Sequence, residues 1–161
     1  MLKQKKQRRM QGKTDYNSRK IMLEGKKPRL VVRISNKYCT VQFVKSKEAQ
    51  DEVILTVLSK ELLDYGWPKE SSGSLKSISA SYLAGYLLGI KLNDKNEDKK
   101  AILDLGLKRS TKGSRVYAAL KGAVDAGVEI AHNKEMLPDE KRLKGKVDIE
   151  KIKSNINAKF K

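Results

Sequence analysis

Residues 29–44 read RLVVRISNKYCTVQFV, and this stretch decides the fold. Leu30, Val32 and Ile34 alternate with Val31, Arg33 and Ser35. Cys39, Val41 and Phe43 alternate with Tyr38, Thr40 and Gln42. Apolar residues at every second position mark a strand with one buried face, and Asn36-Lys37 supplies a tight turn between the two runs. The stretch therefore predicts a β-hairpin with one apolar face and one mostly polar face.

Working outward, VILTVL (53–58) is apolar on both faces and reads as a central strand covered on both sides. Ile78, Tyr82, Tyr86 and Ile90 repeat every four residues, a helical stripe, and Ala80, Ala84 and Gly85 allow that helix to pack closely. AILDLGL (101–107) reads as a buried strand ending at Gly106. Gly113-Ser114 opens a second helix with Val116, Leu120, Ala123 and Val124 on one face, and Gly127 stops it. The fold class is α/β, of the α+β mixed-sheet kind: hairpin and central strand, then helix, parallel strand and helix. Upstream, residues 14–24 predict a short helix capped by Thr14 or Asp15 and ended by Gly25, with Pro28 blocking its extension. Downstream, Ile149, Ile152, Ile156 and Phe160 suit a short amphipathic helix, after a stretch punctuated by Pro138 and Gly145. Three segments result: a basic arm with its helix (1–28), a globular core (29–127) and a C-terminal extension (128–161).

Charge points to the partner. The 161 residues hold 36 Lys+Arg against 19 Asp+Glu, a formal net charge of +17. Self-repulsion of that size opposes compaction unless a polyanion neutralises it. The excess is densest in residues 1–29, with eleven Lys/Arg and two acids. Residues 1–13 have little to bury and are expected to lack structure without a partner. A membrane partner needs an apolar span of about 18 residues or an amphipathic anchor, and no such span occurs. The basic start is followed by no apolar core of a signal peptide. A single cysteine excludes an internal disulfide and fits a reducing compartment. Nucleic acid is the expected partner.

Catalysis finds little support. Cys39 sits among inward-facing strand residues, where burial makes a thiol inert. His132 lies in a polar segment and reads as a surface histidine. One Cys and one His cannot supply the three or four ligands of a zinc site, so no metal is expected. GLKRSTKGS (106–114) follows a strand and precedes a helix but lacks the spacing of a phosphate-binding P-loop. It is either an ordinary basic loop or, through the helix start with Lys108, Arg109, Lys112 and Arg115, a holder of one RNA phosphate. Asp94, Glu97 and Asp98 form an acidic surface turn with neighbouring lysines. Asp104, at a strand end, reads as an acceptor for the next loop.

The segments KTDYNSRKIMLEGKKPRLVVRISN (13–36), ASYLAGYLLG (80–89) and AILDLGLKRSTKGSRVYAALKGAVDAGVEIAHNKEMLPDEKRLKG (101–145), with their spacing, resemble a known family. It is the universal large-subunit ribosomal protein L-eighteen family, in its archaeal and eukaryotic form, called L-five in eukaryotes. The resemblance spans most of the chain. Residues 72–81, SGSLKSISAS, depart from a shorter GNTPAA-like stretch in the family, and the short C-terminal region with its Lys-rich helix is unlike the long eukaryotic extension, which favours the archaeal form. The resemblance implies a non-catalytic constituent of the cytoplasmic ribosome, without cofactor. It implies binding to 5S rRNA and large-subunit rRNA in the central protuberance, beside neighbouring large-subunit proteins.

Structured RNA is recognised by shape, phosphates and 2′-hydroxyls, which calls for cations on a rigid sheet and an arm that orders on binding. The expected RNA contacts are Arg8, Arg9, Lys13, Tyr16 and Arg19 in the arm and first helix. Arg29, Arg33, Thr40 and Gln42 are expected on the open hairpin face, and Lys112 and Arg115 at the second helix start. Tyr16 either stacks on a base or fills a small core. Three other readings share some features: a non-ribosomal nucleic-acid-binding factor, a small α/β enzyme acting on nucleic acid, and a protein-docking role for residues 149–160.

Overall fold

The computed structural model describes residues 6–48, 50–95, 99–145 and 147–160. The predicted hairpin is present as β1 (Arg29–Ile34) and β2 (Cys39–Lys47), antiparallel, with Arg33 opposite Thr40 and Val31 opposite Gln42. Before it come a single helical turn, α1 (Gln7–Met10), and α2 (Tyr16–Glu24). The carboxylate of Asp15 caps α2 by accepting the N–H groups of Asn17 and Ser18. Within the arm, where no regular structure was expected, α1 is one exposed turn, and Arg8 Nε donates to Thr14 Oγ1 at 3.0 Å. The first five residues lie outside the described ones.

The strand β3 (Gln50–Leu58) continues the meander, pairing with β2 across an irregularity at Phe43/Val44. Two 3₁₀ turns, Ser59–Tyr65 and Lys69–Ser74, lead to α3 (Ile78–Asp94). Then β4 (Lys100–Asp104) runs parallel to β1, and α4 (Arg115–Asp125) leads to the short β5 (Glu129–Ile130), parallel to β4. Among the described residues the mixed sheet has five strands, in the order β3-β2-β1-β4-β5. This corrects the reading of Val53–Leu58 as a central strand. After β3 the chain crosses over the sheet through α3 and inserts β4 beside β1, so β1 is central and β3 is left at the edge. Val53 and Leu58 accordingly stay 49% and 38% exposed on the face that α3 and α4 do not cover.

The other face is the core. Leu30, Val32, Cys39, Val41, Phe43 and Val57 are fully buried, with α3 lying over β2 and β3, and α4 over β1. The helices approach closely because of glycine: a Cβ on Gly85 would stand 1.9 Å from the Ala119 carbonyl oxygen. Gly127, at φ +98°, follows the end of the helix that starts at Arg115, the stop expected of it. A third layer is α6 (Ile149–Lys159), which follows α5 (Glu140–Leu143). Ile152 and Ile156 are buried, and α6 packs on α3 and on the 59–65 turn. The tyrosines of the α3 stripe meet this helix: the Lys153 ammonium lies 4.7 Å from the Tyr82 ring centre and 5.1 Å from that of Tyr86. No helix among the described residues is long and apolar enough to cross a membrane.

Candidate nucleic-acid interface

The strand period places Arg29, Val31 and Arg33 on the face opposite the helices, beside Val44, Gln42 and Thr40 of β2 and Asp104 of β4. Three arginines and two aspartates alternate across this face. Arg33 Nη2 donates to Asp104 Oδ1 at 2.9 Å, and Arg29 Nη1 to Asp104 Oδ2 at 3.0 Å. Arg29 Nη2 donates to Asp51 Oδ1 at 2.6 Å, and Arg19 Nη2 to Asp51 Oδ2 at 2.9 Å. The chain of charge thus runs from α2, through the β3 edge and the central strand, to the end of β4.

Asp104 also accepts the Gly106 N–H at 2.8 Å, the loop-capping role expected of it. Asp51 accepts from the Ser46 hydroxyl at 2.7 Å. Burial pushes the Asp51 carboxyl up, but the hydrogen bonds from Ser46, Arg29 and Arg19 outweigh it and hold its pKa below the ordinary carboxylate value.

The expected contacts fall into three groups. Arg8, Arg9 and Lys13 are exposed in the arm, and Tyr16 is half-buried with the Lys6 ammonium 4.4 Å from its ring centre. Arg19, Arg33, Thr40 and Gln42 share the sheet face, where Gln42 Nε2 donates to Thr56 Oγ1 at 3.1 Å. The Arg33 side chain is 46% exposed and keeps a surface open to a ligand. Arg29 requires a correction: it lies on the predicted face but is only 3% exposed. With both terminal nitrogens held by carboxylates, it is a buried strut. Lys112 and Arg115 form the third group, both exposed at the start of α4. There a cleft of about 420 Å³ brings Arg115 beside Lys76 and Arg142, at the neighbouring starts of α3 and α4.

Sequence reasoning missed Asp51, Lys76 and Arg142. A lone acid beside a strand carries no signal of its partner, and Lys76 and Arg142 reach the cleft from distant segments. Among the candidate catalytic groups, Cys39 is fully buried and its thiol is pushed up to about 11 by burial. His132 is half-buried, with Nδ1 2.6 Å from the Ile130 carbonyl oxygen. Among the described residues no group of three or more His, Cys, Asp or Glu is placed to hold a metal. Of the acidic turn, Glu97 and Asp98 lie outside the described residues.

A rigid mixed sheet carrying an arginine–aspartate lattice, next to a cationic arm, is the build of a structural protein suited to a polyanion. The family profile described as ribosomal large subunit proteins 60S L5 and 50S L18 matches residues 2–100 and 91–133. The chain is 50% identical over 143 residues to the large ribosomal subunit protein uL18 of Korarchaeum cryptofilum, covering 89% of this chain and 71% of that protein. It is 46% identical over 138 residues to the Aeropyrum pernix protein of the same name, covering 85% and 62%. Identity to the Methanothrix thermoacetophila protein of that name is 44% over 140 residues, covering 87% and 80%. The chain belongs to this family of large-subunit ribosomal proteins, whose members are structural constituents of the ribosome and not enzymes.

Proposed function

We propose that the chain binds 5S rRNA and helps attach it to the large-subunit rRNA in the central protuberance, beside neighbouring ribosomal proteins. The observation that carries this reading is the sheet face itself. Arg33 stands half-exposed there beside Thr40 and Gln42, and Arg19 connects the face to the arm cations. A guanidinium held by a carboxylate presents its free edge to a phosphate in a fixed direction. Thr40 and Gln42 offer hydroxyl and amide groups that match 2′-hydroxyls, the feature that distinguishes RNA from DNA. Arg8, Arg9 and Lys13 add phosphate contacts from the arm, and Lys112 and Arg115 add them at the α4 start. Tyr16, already beneath the Lys6 ammonium, offers its ring to an unpaired base. Family membership supports ribosomal RNA as the class of partner.

The test is competitive binding of the full chain to 5S rRNA and to an unrelated structured RNA of equal length, across a salt series. Preference for 5S rRNA that survives rising salt is the expected result, because non-specific phosphate binding falls away with salt. Equal affinity for both RNAs overturns the assignment to 5S rRNA.

A further inference from the structure

Asp51 is out of place by charge. It is an acid on the cationic face of a protein with net charge +17, where a phosphate would meet repulsion. Its geometry accounts for it. Oδ1 is fixed by the buried Arg29 at 2.6 Å and by Ser46 of β2 at 2.7 Å, which leaves Oδ2 for Arg19 of α2 at 2.9 Å. The α2 helix needs such a tether. It has nine residues and none is buried, and an isolated helix of that length is marginal in water. Its half-buried positions, Tyr16, Arg19, Met22 and Leu23, follow the helical period, with Arg19 in the middle of that stripe.

We propose that Asp51 is a positioning residue that latches α2 onto the sheet edge through Arg19, and so orders the arm before RNA arrives. This rests on the RNA-binding reading above. An arm already docked loses less conformational freedom on binding, and that gain offsets the repulsion an acid brings. The latch makes a prediction opposite to that of charge alone. Removing an acid from a phosphate-binding face strengthens binding if Asp51 has no positioning role.

The experiment uses the full chain with Asp51→Asn and, separately, Arg19→Met. Hydrogen exchange of the amides of residues 20–25 is measured in the free protein, and affinity for 5S rRNA in parallel. Both variants are expected to speed exchange in α2 by roughly 2- to 5-fold, the scale of a partly exposed ion pair, with β1 and β2 unchanged. Asp51→Asn is expected to weaken 5S rRNA binding by about the same factor despite its added positive charge. Unchanged α2 exchange in both variants, or tighter binding by Asp51→Asn, overturns the proposal. Should Asp51→Asn unfold through the loss of its bond to Arg29, Arg19→Met decides alone, since it leaves the Asp51–Arg29 pair in place. A parent protein that shows no preference for 5S rRNA defeats the functional reading, while the exchange data still decide the latch.

Discussion

Arg29 and Asp104, on adjacent parallel strands, form an ion pair at 3.0 Å with side chains 3% and 5% exposed. A buried pair of this kind adds little over an apolar pair of equal volume, yet removing one partner strands the other charge. Asp104 also holds Arg33 and the Gly106 N–H, so three donors lose their acceptor together. Asp104→Ala is expected to destabilise the protein by about 3–5 kcal/mol in urea denaturation. Asp51→Ala, at a side chain 30% exposed, is expected to cost clearly less. Equal losses at the two positions contradict the ranking by burial.

Gly106 and Arg33 are coupled by contact. Gly106 has φ +62°, and a Cβ there would stand 2.9 Å from Arg33 Cζ. Gly106→Ala therefore meets both a left-handed backbone and the guanidinium. A loss of about 1 kcal/mol or more is expected, together with weaker RNA binding as Arg33 is displaced. Arg33→Lys is expected to keep the fold and the salt dependence but to weaken 5S rRNA binding by about 1 kcal/mol, on the scale of a hydrogen bond to a charged group. Parent-like affinity in Arg33→Lys reduces Arg33 to a point charge and removes the main support for recognition by the sheet face.

Asp51 also sets an acid limit. Its pKa is held below the ordinary value of 3.8, so the folded state binds its proton less readily than the unfolded chain does. The stability this contributes is complete above the unfolded pKa and is lost as pH falls through the lower folded pKa. Parent stability is thus expected to drop below about pH 4, and Asp51→Asn to show a shallower drop over that window. Parallel curves for the two proteins contradict the assignment.

The hairpin and its two faces were legible because one buried face forces a period of two, and a one-residue slip would turn Leu30, Val32 and Ile34 outward. The α2 start was legible to within the two candidate caps Thr14 and Asp15, and the stop at Gly127 and the stripe of α6 were legible for the same kind of local reason. The position of β3 was not. VILTVL is apolar on both faces whether its outer row meets a helix, solvent or a ligand, and strand order depends on where α3 returns the chain. The pairing of Arg29 with Asp51 and Asp104 spans 22 and 75 residues, and no spacing in the sequence encodes it. Arg29 and Arg33 look alike as letters, and only the surrounding acids make one a strut and leave the other half-exposed.

The arm can be weighed through salt. Deleting residues 1–13 removes six Lys/Arg, of which Lys3 and Lys5 lie outside the described residues. Each lost phosphate contact flattens the log–log salt slope by roughly 0.7 to 0.9, so the slope for 5S rRNA is expected to fall by several units. An unchanged slope shows the arm to be solvated in the complex.

The C-terminal helix supplies a test of how far the core extends. Segment 29–127 was expected to hold the core, but Val128, Ile130, Leu143, Ile152 and Ile156 also lie within the same buried cluster. Ile156 is fully buried, and Asn155 Nδ2 donates to the Tyr65 carbonyl oxygen at 3.0 Å beside it. A helix whose purpose was to dock on a neighbour would leave its isoleucines free, and truncating one would not move the melting of the isolated chain. Docked on its own core, Ile156→Ala leaves a cavity under α6 and is expected to cost about 2–5 kcal/mol. Lys153→Ala, which removes the ammonium over Tyr82 and Tyr86 but no buried methyl groups, is expected to cost about 0.5–1 kcal/mol. Thermal and urea unfolding of both variants without RNA measures the difference. If Ile156→Ala melts like the parent, α6 is not part of the free protein's core, and the boundary of the folding unit moves back toward Gly127.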